Sequence, residues 1–275
     1  MIDARLTGEK MTHQHITSRC FINFPFRRLQ QELDLVLTHR IQPEIGLEGD
    51  TLYTATAAEY REIAKALASA GLGCTLHAPF FDLAPGALDE HILTATRNKL
   101  GKAFDLIEVF QPAAVVCHLN YEENKHGYKK SAWFNAALAT WQALLTQAAA
   151  HQVPLMLENT YETGPEQHMK MLAALNSPLA RFCLDAGHVS AFAKNSWQDW
   201  LPALTPWLGQ LHLHDNHGDR DAHLAPGRGS FDFPGLFSYL KEQRLHPLVT
   251  LEPHSEDDLW ESLAALDRMQ FFSTE

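Results

Sequence analysis

The 275-residue chain has only four cysteines, and their spacing does not suit a metal site built on sulfur. No C-x-x-C pair occurs, and each cysteine lies in an apolar run that is typical of a buried strand. We therefore predict reduced, buried thiols with a packing role, and we place the protein in a reducing cytoplasm. The cysteines are Cys20, Cys74, Cys117 and Cys183.

The sequence also lacks a long hydrophobic run and an excess of basic residues. No apolar stretch reaches the length that spans a bilayer, and the N-terminus has no signal-peptide pattern, so we predict no membrane partner. Lysine and arginine number 22 against 33 aspartates and glutamates, a formal net charge of −11. Because proteins that coat nucleic acids gain affinity from cations on phosphates, this balance argues against DNA as a partner. Bound divalent ions would offset part of the negative charge.

No glycine-rich phosphate fingerprint follows the first predicted strand, which argues against a Rossmann domain. The chain instead alternates strand and helix about eight times, and each strand is short and apolar. Such alternation is typical of parallel strands covered by helices. Eight repeats in this length predict an α/β fold, a single-domain (β/α)8 TIM barrel, with a doubly wound open sheet as the alternative.

The predicted boundaries follow from apolar runs, caps and breakers. Thr56 and Glu59 form a predicted capping box at the start of one helix. Residues 1–17 are polar and aperiodic, so we predict a disordered or tag-like extension and assign residues 18–275 to the catalytic barrel. The strands are predicted at residues 20–24, 44–47, 74–77, 113–118, 155–158, 182–185, 210–214 and 248–252. The main helices are predicted at residues 56–70, 88–110, 131–150, 166–175, 234–243 and 257–269.

Histidine is abundant, with 16 residues, and it gathers with carboxylates at the predicted strand ends. Any one of these residues alone has an ordinary interpretation as a polar rim residue or a turn former. Six successive strands that deliver such side chains to one barrel mouth instead predict a divalent metal site, since imidazole and carboxylate are ligands that zinc, manganese and iron prefer. The candidate ligands are His77, His118, Glu158, Asp185, His188, His212, Asp221, His223 and Glu252.

These residues stand in motifs that resemble a known family. The motifs read LHAP at residues 76–79, CH at 117–118, LEN at 157–159, LDAGH at 184–188, DAH at 221–223 and LEP at 251–253. With them, the chain resembles the xylose-isomerase-like TIM barrels (AP endonuclease family 2) from about residue 20 to residue 252. This superfamily includes the endonuclease IV type of apurinic endonuclease and many sugar isomerases and epimerases.

The resemblance implies two possible metal sets. The sugar isomerases and epimerases typically hold one ion, and the corresponding quartet here is Glu158, Asp185, His212 and Glu252. The endonuclease type holds three zinc ions with five further ligands. Those positions here are His77, His118, His188, Asp221 and His223. All nine positions carry the matching residue type.

The full ligand set favours hydrolysis of a phosphodiester, with up to three zinc ions or with manganese, and with Glu158 and Glu252 as catalytic residues. The apolar loop at residues 80–86 and the run HDNH at residues 214–217, where the endonuclease has Asn-Asp-Ala-Lys, predict a small phosphodiester rather than duplex DNA. The alternative is a sugar or sugar phosphate isomerase or epimerase, in which one ion polarises a ketose between Glu158 and Glu252.

Five further residues are predicted to contact the substrate. Arg228 lies between two glycines and is a candidate phosphate clamp, with an exposed surface arginine as an equal alternative. Trp197 fits equally well as a packing residue under a helix. The others follow strand ends and are predicted to line the pocket: Asn120, Tyr121 and Asn159.

Overall fold

The structure, a computed structural model, describes residues 13–272. Eight parallel strands form a closed barrel in which each strand pairs with its sequence neighbours and the last pairs with the first. This confirms the predicted single-domain (β/α)8 barrel. The strands are β1 Phe21–Pro25, β2 Gln42–Gly46, β3 Thr75–His77, β4 Val115–His118, β5 Leu155–Glu158, β6 Ala180–Asp185, β7 Leu208–Leu213 and β8 Leu248–Leu251.

The helices surround the barrel and follow the strands in sequence. They are α1 Gln14–Thr17, α2 Phe26–Gln31, α3 Leu33–Thr38, α4 Thr51–Thr54, α5 Ala57–Ser69, α6 Glu90–Phe104, α7 Ile107–Phe110, α8 Glu123–His126, α9 Lys130–Ala150, α10 Glu166–Leu175, α11 Ala186–Phe192, α12 Trp197–Leu204, α13 Phe233–Glu242 and α14 Glu256–Arg268. Short 3₁₀ turns at Gly127–Lys129 and Thr205–Trp207 precede α9 and β7.

Most predicted helices agree with the structure, but one is broken and several short helices were not predicted. The capping box is confirmed, because the Thr56 hydroxyl accepts from Glu59 N while the Glu59 carboxylate accepts from Thr56 N. The predicted helix at residues 88–110 is broken between α6 and α7, where Leu106 N donates to Ala103 O in a tighter i to i−3 turn. The helices that were not predicted are all short: α2, α4, α8, α11 and α12.

The predicted N-terminal extension is partly wrong. Residues 14–17 form α1, and the side chain of Ile16 is buried in the core. The packed part of the chain therefore begins before residue 18. Burial of Ile16 stabilises this segment, since it removes apolar surface from water. Residues 1–12 of the predicted extension lie outside the described residues.

The main apolar core lies between the barrel and the helices, where Trp133, Trp141 and Trp200 are fully buried. A smaller apolar cluster contains Ala114, Val116, Met156 and Cys183. The four cysteines are buried and free, as predicted. Within residues 13–272, no helix combines the length and apolarity needed to cross a bilayer.

Candidate metal centre

The nine predicted ligands converge at the carboxyl ends of the strands. The barrel register places His118 beside Glu158 and Asp185 beside His212 on neighbouring strands. Most of the nine side chains line one cavity of about 500 Å³ at the barrel mouth, while Asp185 and His212 are fully buried next to it. The closed barrel achieves this convergence because all its strands point to the same end.

The first group of ligand atoms surrounds one imidazole nitrogen. His212 Nδ1 lies 3.0 Å from Glu252 Oε1 and 3.5 Å from Glu158 Oε2. Asp185 Oδ2 lies 3.9 Å from the same nitrogen. Within residues 13–272, His212 Nδ1 forms no hydrogen bond despite its complete burial. Three carboxylates around an imidazole nitrogen that makes no hydrogen bond fit a shared divalent cation.

The other ring nitrogen of His212, Nε2, contacts a residue that the sequence analysis missed. Glu44 Oε1, on β2, lies 3.1 Å from His212 Nε2, so the Nε2 proton can point to Glu44 and leave Nδ1 free for an ion. Glu44 also accepts hydrogen bonds from Thr75, Gln210 and Thr250. The apolar pattern indicates β2 only weakly, and no motif places its glutamate inside the barrel.

A second group forms around Glu158 on the side of β3 and β4. His77 Nε2 lies 3.2 Å, and His118 Nε2 3.4 Å, from Glu158 Oε2. Glu158 Oε1 lies 3.2 Å from His188 Nδ1. The Glu158 carboxylate therefore lies within 3.5 Å of imidazoles from all parts of the site and would hold metal together with any of them.

A third group forms at the loop after β7. Asp221 Oδ2 lies 3.3 Å from His188 Nε2 and 3.1 Å from His223 Nε2. His214, which was not predicted as a ligand, completes this group: its Nδ1 lies 3.5 Å from Asp221 Oδ1, and its ring stacks on that of His223 at 3.9 Å. His214 follows His212 by two residues, so both side chains lie on the same face of the extended chain, and this alternation was the available clue.

Charge balance within the mouth depends on the imidazoles. Burial alone would lower the pKa of His77, but the hydrogen bond to Glu158 and the charges of Glu158 and Glu44 raise it to about 9. The pKa of His223 is raised to about 9 in the same way by Asp221 and Glu252. Burial lowers the pKa of His118 to about 3 and leaves it neutral. The carboxylates therefore favour positive charge at this mouth, which either protonated imidazoles or metal ions can supply.

The carboxylates respond in the opposite direction. Burial would raise the pKa of Glu158 and of Glu252, but the neighbouring imidazoles hold both well below the usual range. The pKa of Asp221 is also lowered, with burial opposed by hydrogen bonds from His188 and His223. These side chains are ionised at neutral pH, which is the protonation state a metal ligand needs.

The loop around the third group is built on Asp215. Its carboxylate accepts hydrogen bonds from the backbone N–H groups of Gly227, Gly229 and Phe231. Asp215 is fully buried and is a scaffold residue of the metal-site loop. This arrangement fixes the path of the chain from β7 to α13 and thereby the positions of Asp221 and His223.

The predicted substrate contacts are only partly at the mouth. Arg228 is 65% exposed and pairs with Glu261 on the surface, so its position does not support the predicted phosphate clamp. Trp197 is buried in the core on α12, and its ring packs edge-on against Tyr239, which is the packing role. Asn159 is buried, and its side chain bonds both the N–H and the carbonyl of Asp185, so it positions a ligand.

Asn120 and Tyr121 lie beside the mouth. Asn120 lines an adjacent cavity, whereas Tyr121 is buried against Trp133 with its hydroxyl 2.6 Å from Glu123. The Tyr121 N–H donates to Glu162, a buried glutamate that also accepts from Thr160 N. Burial raises the pKa of Glu162 to about 7 against these backbone hydrogen bonds. Glu162 thus joins the loops after β4 and β5.

The fold and the site define a (β/α)8 barrel with a candidate metal centre at the carboxyl ends of its strands. Residues 42–272 match the family described as xylose isomerase-like TIM barrel, and the chain belongs to this family. The uncharacterized protein MJ1614 of Methanocaldococcus jannaschii is 24% identical over 187 residues, which cover 67% of this chain and 72% of the relative.

Solved structures share the fold at low sequence identity. A D-tagatose 3-epimerase-like protein has a TM-score of 0.82 and 20% identity, with coverage of 92% of this chain and 97% of that one. The TTHB071 protein of Thermus thermophilus, soaked with ZnCl2, has a TM-score of 0.77, 23% identity and coverage of 94% and 100%. D-psicose 3-epimerase of Clostridium cellulolyticum, with D-tagatose, has a TM-score of 0.75, 14% identity and coverage of 92% and 98%.

Proposed function

We propose that the protein is a divalent-metal-dependent isomerase or epimerase of a sugar or sugar phosphate. The observation that carries this proposal is that the carboxylates of Glu158 and Glu252 both lie within 3.5 Å of His212 Nδ1, at the candidate ion site. They extend from β5 and β8, which lie three strands apart in the eight-stranded barrel. Two carboxylates that approach one point from different strands can reach two faces of a bound carbon.

The chain's own residues would divide the proton transfer. A bound ion supplies Lewis acidity that makes the proton next to a carbonyl easier to remove. One glutamate removes the proton from carbon, and the other returns a proton, on the other face in an epimerase. Both are ionised in the free protein because their pKa values lie below the usual range. One can therefore act as the base directly, and the other takes up a proton from solvent before it returns it to carbon. His77, His118 and His188 then donate hydrogen bonds to the substrate hydroxyls.

The comparisons favour this alternative of the sequence analysis over the predicted hydrolase. Two of the structural neighbours reported above are described as a D-tagatose 3-epimerase-like protein and a D-psicose 3-epimerase. Their identities of 20% and 14% support the fold alone. The proposal for the reaction therefore rests on the paired glutamates of this chain.

Solvent exchange at carbon tests the proposal directly. The metal-loaded protein, incubated in D2O with a panel of free and phosphorylated ketoses, should incorporate deuterium next to the carbonyl, as seen by NMR. Glu158→Gln and Glu252→Gln should each abolish this exchange, because an amide does not accept the proton. Glu261→Gln, at the surface beside Arg228, is the matched control and should retain exchange. Exchange that persists in both glutamine variants would contradict the assigned roles.

A specific observation favours a phosphoester hydrolase as a second candidate. Two ligand groups lie beyond the quartet, one at His77 and His118 and one at Asp221 and His223. The site gathers five carboxylates, of Glu44, Glu158, Asp185, Asp221 and Glu252, for a formal charge of −5. One divalent ion leaves −5 + 2 = −3, whereas three leave −5 + 6 = +1. Three ions would remove the need for protonated imidazoles.

Metal stoichiometry separates the two candidates. Elemental analysis of gently purified protein should give about one ion per chain for the isomerase and about three for the hydrolase. The hydrolase also requires cleavage of bis(p-nitrophenyl) phosphate that His188→Ala and His223→Ala each abolish. One ion per chain together with no phosphodiester cleavage would eliminate the second candidate.

A further inference from the structure

A second cavity of about 600 Å³ opens beside the metal mouth. It adjoins the 500 Å³ mouth cavity, and four residues line both: Phe80, Phe81, His118 and Tyr161. Ligand pockets in proteins measure ~300–1,000 Å³, so the mouth alone has room for a monosaccharide or a phosphoester group. The second cavity therefore has room for a further part of the same ligand.

Exposed large hydrophobic side chains are concentrated at this cavity. Among the described residues, seven large hydrophobic side chains are exposed, and five of them line this one cavity. Phe81 is 64% exposed and Tyr128 is 81% exposed. Such a concentration beside a polar centre indicates a binding surface, since single exposed apolar residues are otherwise scattered. The five are Phe81, Leu88, Ile92, Tyr128 and Tyr161.

The aromatic rings form a path from the metal centre into the cavity. The Phe80 ring stacks on the imidazole of His118, with centroids 4.3 Å apart and 19° between the planes. Phe81 packs next to Phe80 at 4.6 Å. A flat group attached to a substrate atom at the metal centre would meet these rings first, and offset or edge-on aromatic contacts would hold it.

The loop that carries these rings is fixed in place. Ala84 N donates to Thr96 Oγ1, and Thr140 Oγ1 donates to Pro85 O, so α6 and α9 both anchor it. Gly86 lies against Trp133, where a Cβ would come 2.5 Å from the indole nitrogen. The apolar wall is therefore pre-formed, which lowers the entropy cost of binding.

We propose that this cleft, lined by Phe80, Phe81, Tyr128 and Tyr161, binds a flat apolar group, aromatic in kind, that is part of the substrate. The polar end of the same substrate binds at the metal centre. The inference rests on the proposed metal centre and holds for either reaction class. It narrows the substrate from a simple sugar or phosphoester to one that carries an aromatic or similarly flat substituent.

A pair of phosphonates tests the cleft separately from the chemistry. Benzylphosphonate and methylphosphonate share the metal-binding end and differ in the ring, and their dissociation constants for the zinc-loaded protein can be measured by titration calorimetry. We expect benzylphosphonate to bind about tenfold more tightly. Phe81→Ala and Tyr161→Ala should bring the ratio towards one. Tyr128→Ala, whose side chain lines the cleft and not the mouth cavity, should lower the ratio and leave methylphosphonate binding unchanged. Tyr53→Ala removes another exposed aromatic ring, on α4 outside the cleft, and should keep the ratio.

The remaining outcomes separate this proposal from the proposed function. If neither phosphonate distinguishes wild type from Phe81→Ala, or if the wild-type ratio is near one, the cleft does not bind the ring and the inference fails. A dimer that Phe81→Ala converts to a monomer in analytical ultracentrifugation, with a ratio near one, would make the cleft a protein interface instead. If methylphosphonate does not bind and benzylphosphonate binds only when Phe81 is present, the result supports the cleft proposal and contradicts the proposed metal centre.

Discussion

The imidazole of His214 packs directly against the backbone of Gly187, in the first turn of α11. A Cβ at Gly187 would lie 2.0 Å from His214 Cε1 and 2.3 Å from Nδ1. The close approach brings His214 Nε2 to 3.0 Å from Asp185 Oδ1, while the Asp185 carboxylate also caps α11 by accepting from His188 N. The candidate ligands Asp185 and His214 can therefore pack this closely at the start of α11 only because Gly187 has no side chain.

We expect Gly187→Ala to displace the His214 ring and weaken metal binding. Forcing a methyl group into this contact costs ~1–3 kcal/mol when the neighbours shift, and the shift is in the candidate metal centre itself. Zinc affinity, measured by competition with a chromogenic chelator, should fall together with the melting temperature. Gly101→Ala is the control, because Gly101 lies in α6 with open space around it. Alanine there should stabilise by ~0.5–1 kcal/mol.

His214 itself should behave as a metal ligand. We expect His214→Ala to reduce the zinc content or affinity, because its Nε2 lies 3.0 Å from Asp185 and 3.6 Å from Glu252. His217→Ala is the matched control, since His217 is exposed in the same loop. Elemental analysis after dialysis compares the two variants. Equal metal content in both would exclude His214 from the site.

Much of this site could be predicted because its positions are fixed by strand ends. A (β/α)8 barrel brings the last residue of each strand to one rim, so His77, His118 and Glu158 could be placed together from the sequence. Glu44 could not, since its role depends on which face of a weakly predicted strand turns inwards. The two alternatives for Arg228 could not be separated from the sequence for a related reason: the direction of its loop is set by the Asp215 hydrogen bonds, which are tertiary.

The metal-free protein should lose stability as the pH rises above neutral. The pKa values of His77 and His223 are raised to about 9 in the fold, against ~6.5 in the unfolded chain. Their stabilising contribution is therefore fully present below pH ~6.5 and is lost as the pH rises through about 9. His118 adds no slope in this window, because its pKa is lowered to about 3 and it stays neutral.

Thermal melts of chelator-treated protein between pH 6.5 and 9.5 measure this effect. We expect the melting temperature to fall by several degrees across this range. Zinc-loaded protein should show a flatter profile, because bound ions supply the positive charge that the protonated imidazoles otherwise provide. A metal-free profile as flat as that of the zinc-loaded protein would contradict the raised pKa values.

Glu44 should control metal affinity without contacting the ion. Its carboxylate lies 3.1 Å from His212 Nε2 and accepts hydrogen bonds from Thr75, Gln210 and Thr250, so it fixes the ring with Nδ1 towards the ion site. Partners of this kind typically contribute ~10–100-fold to metal affinity. We expect Glu44→Gln to lower zinc affinity in this range, because the neutral amide holds the His212 Nε2 proton less strongly.

Thr75→Val provides the control for this prediction. It removes one hydrogen bond to Glu44 and keeps the carboxylate beside His212, so zinc affinity should change little although the melting temperature falls. Chelator competition and thermal melts on both variants separate the two effects. Zinc affinity that falls as much in Thr75→Val as in Glu44→Gln would show that general loss of packing, rather than the charge facing His212, sets the affinity.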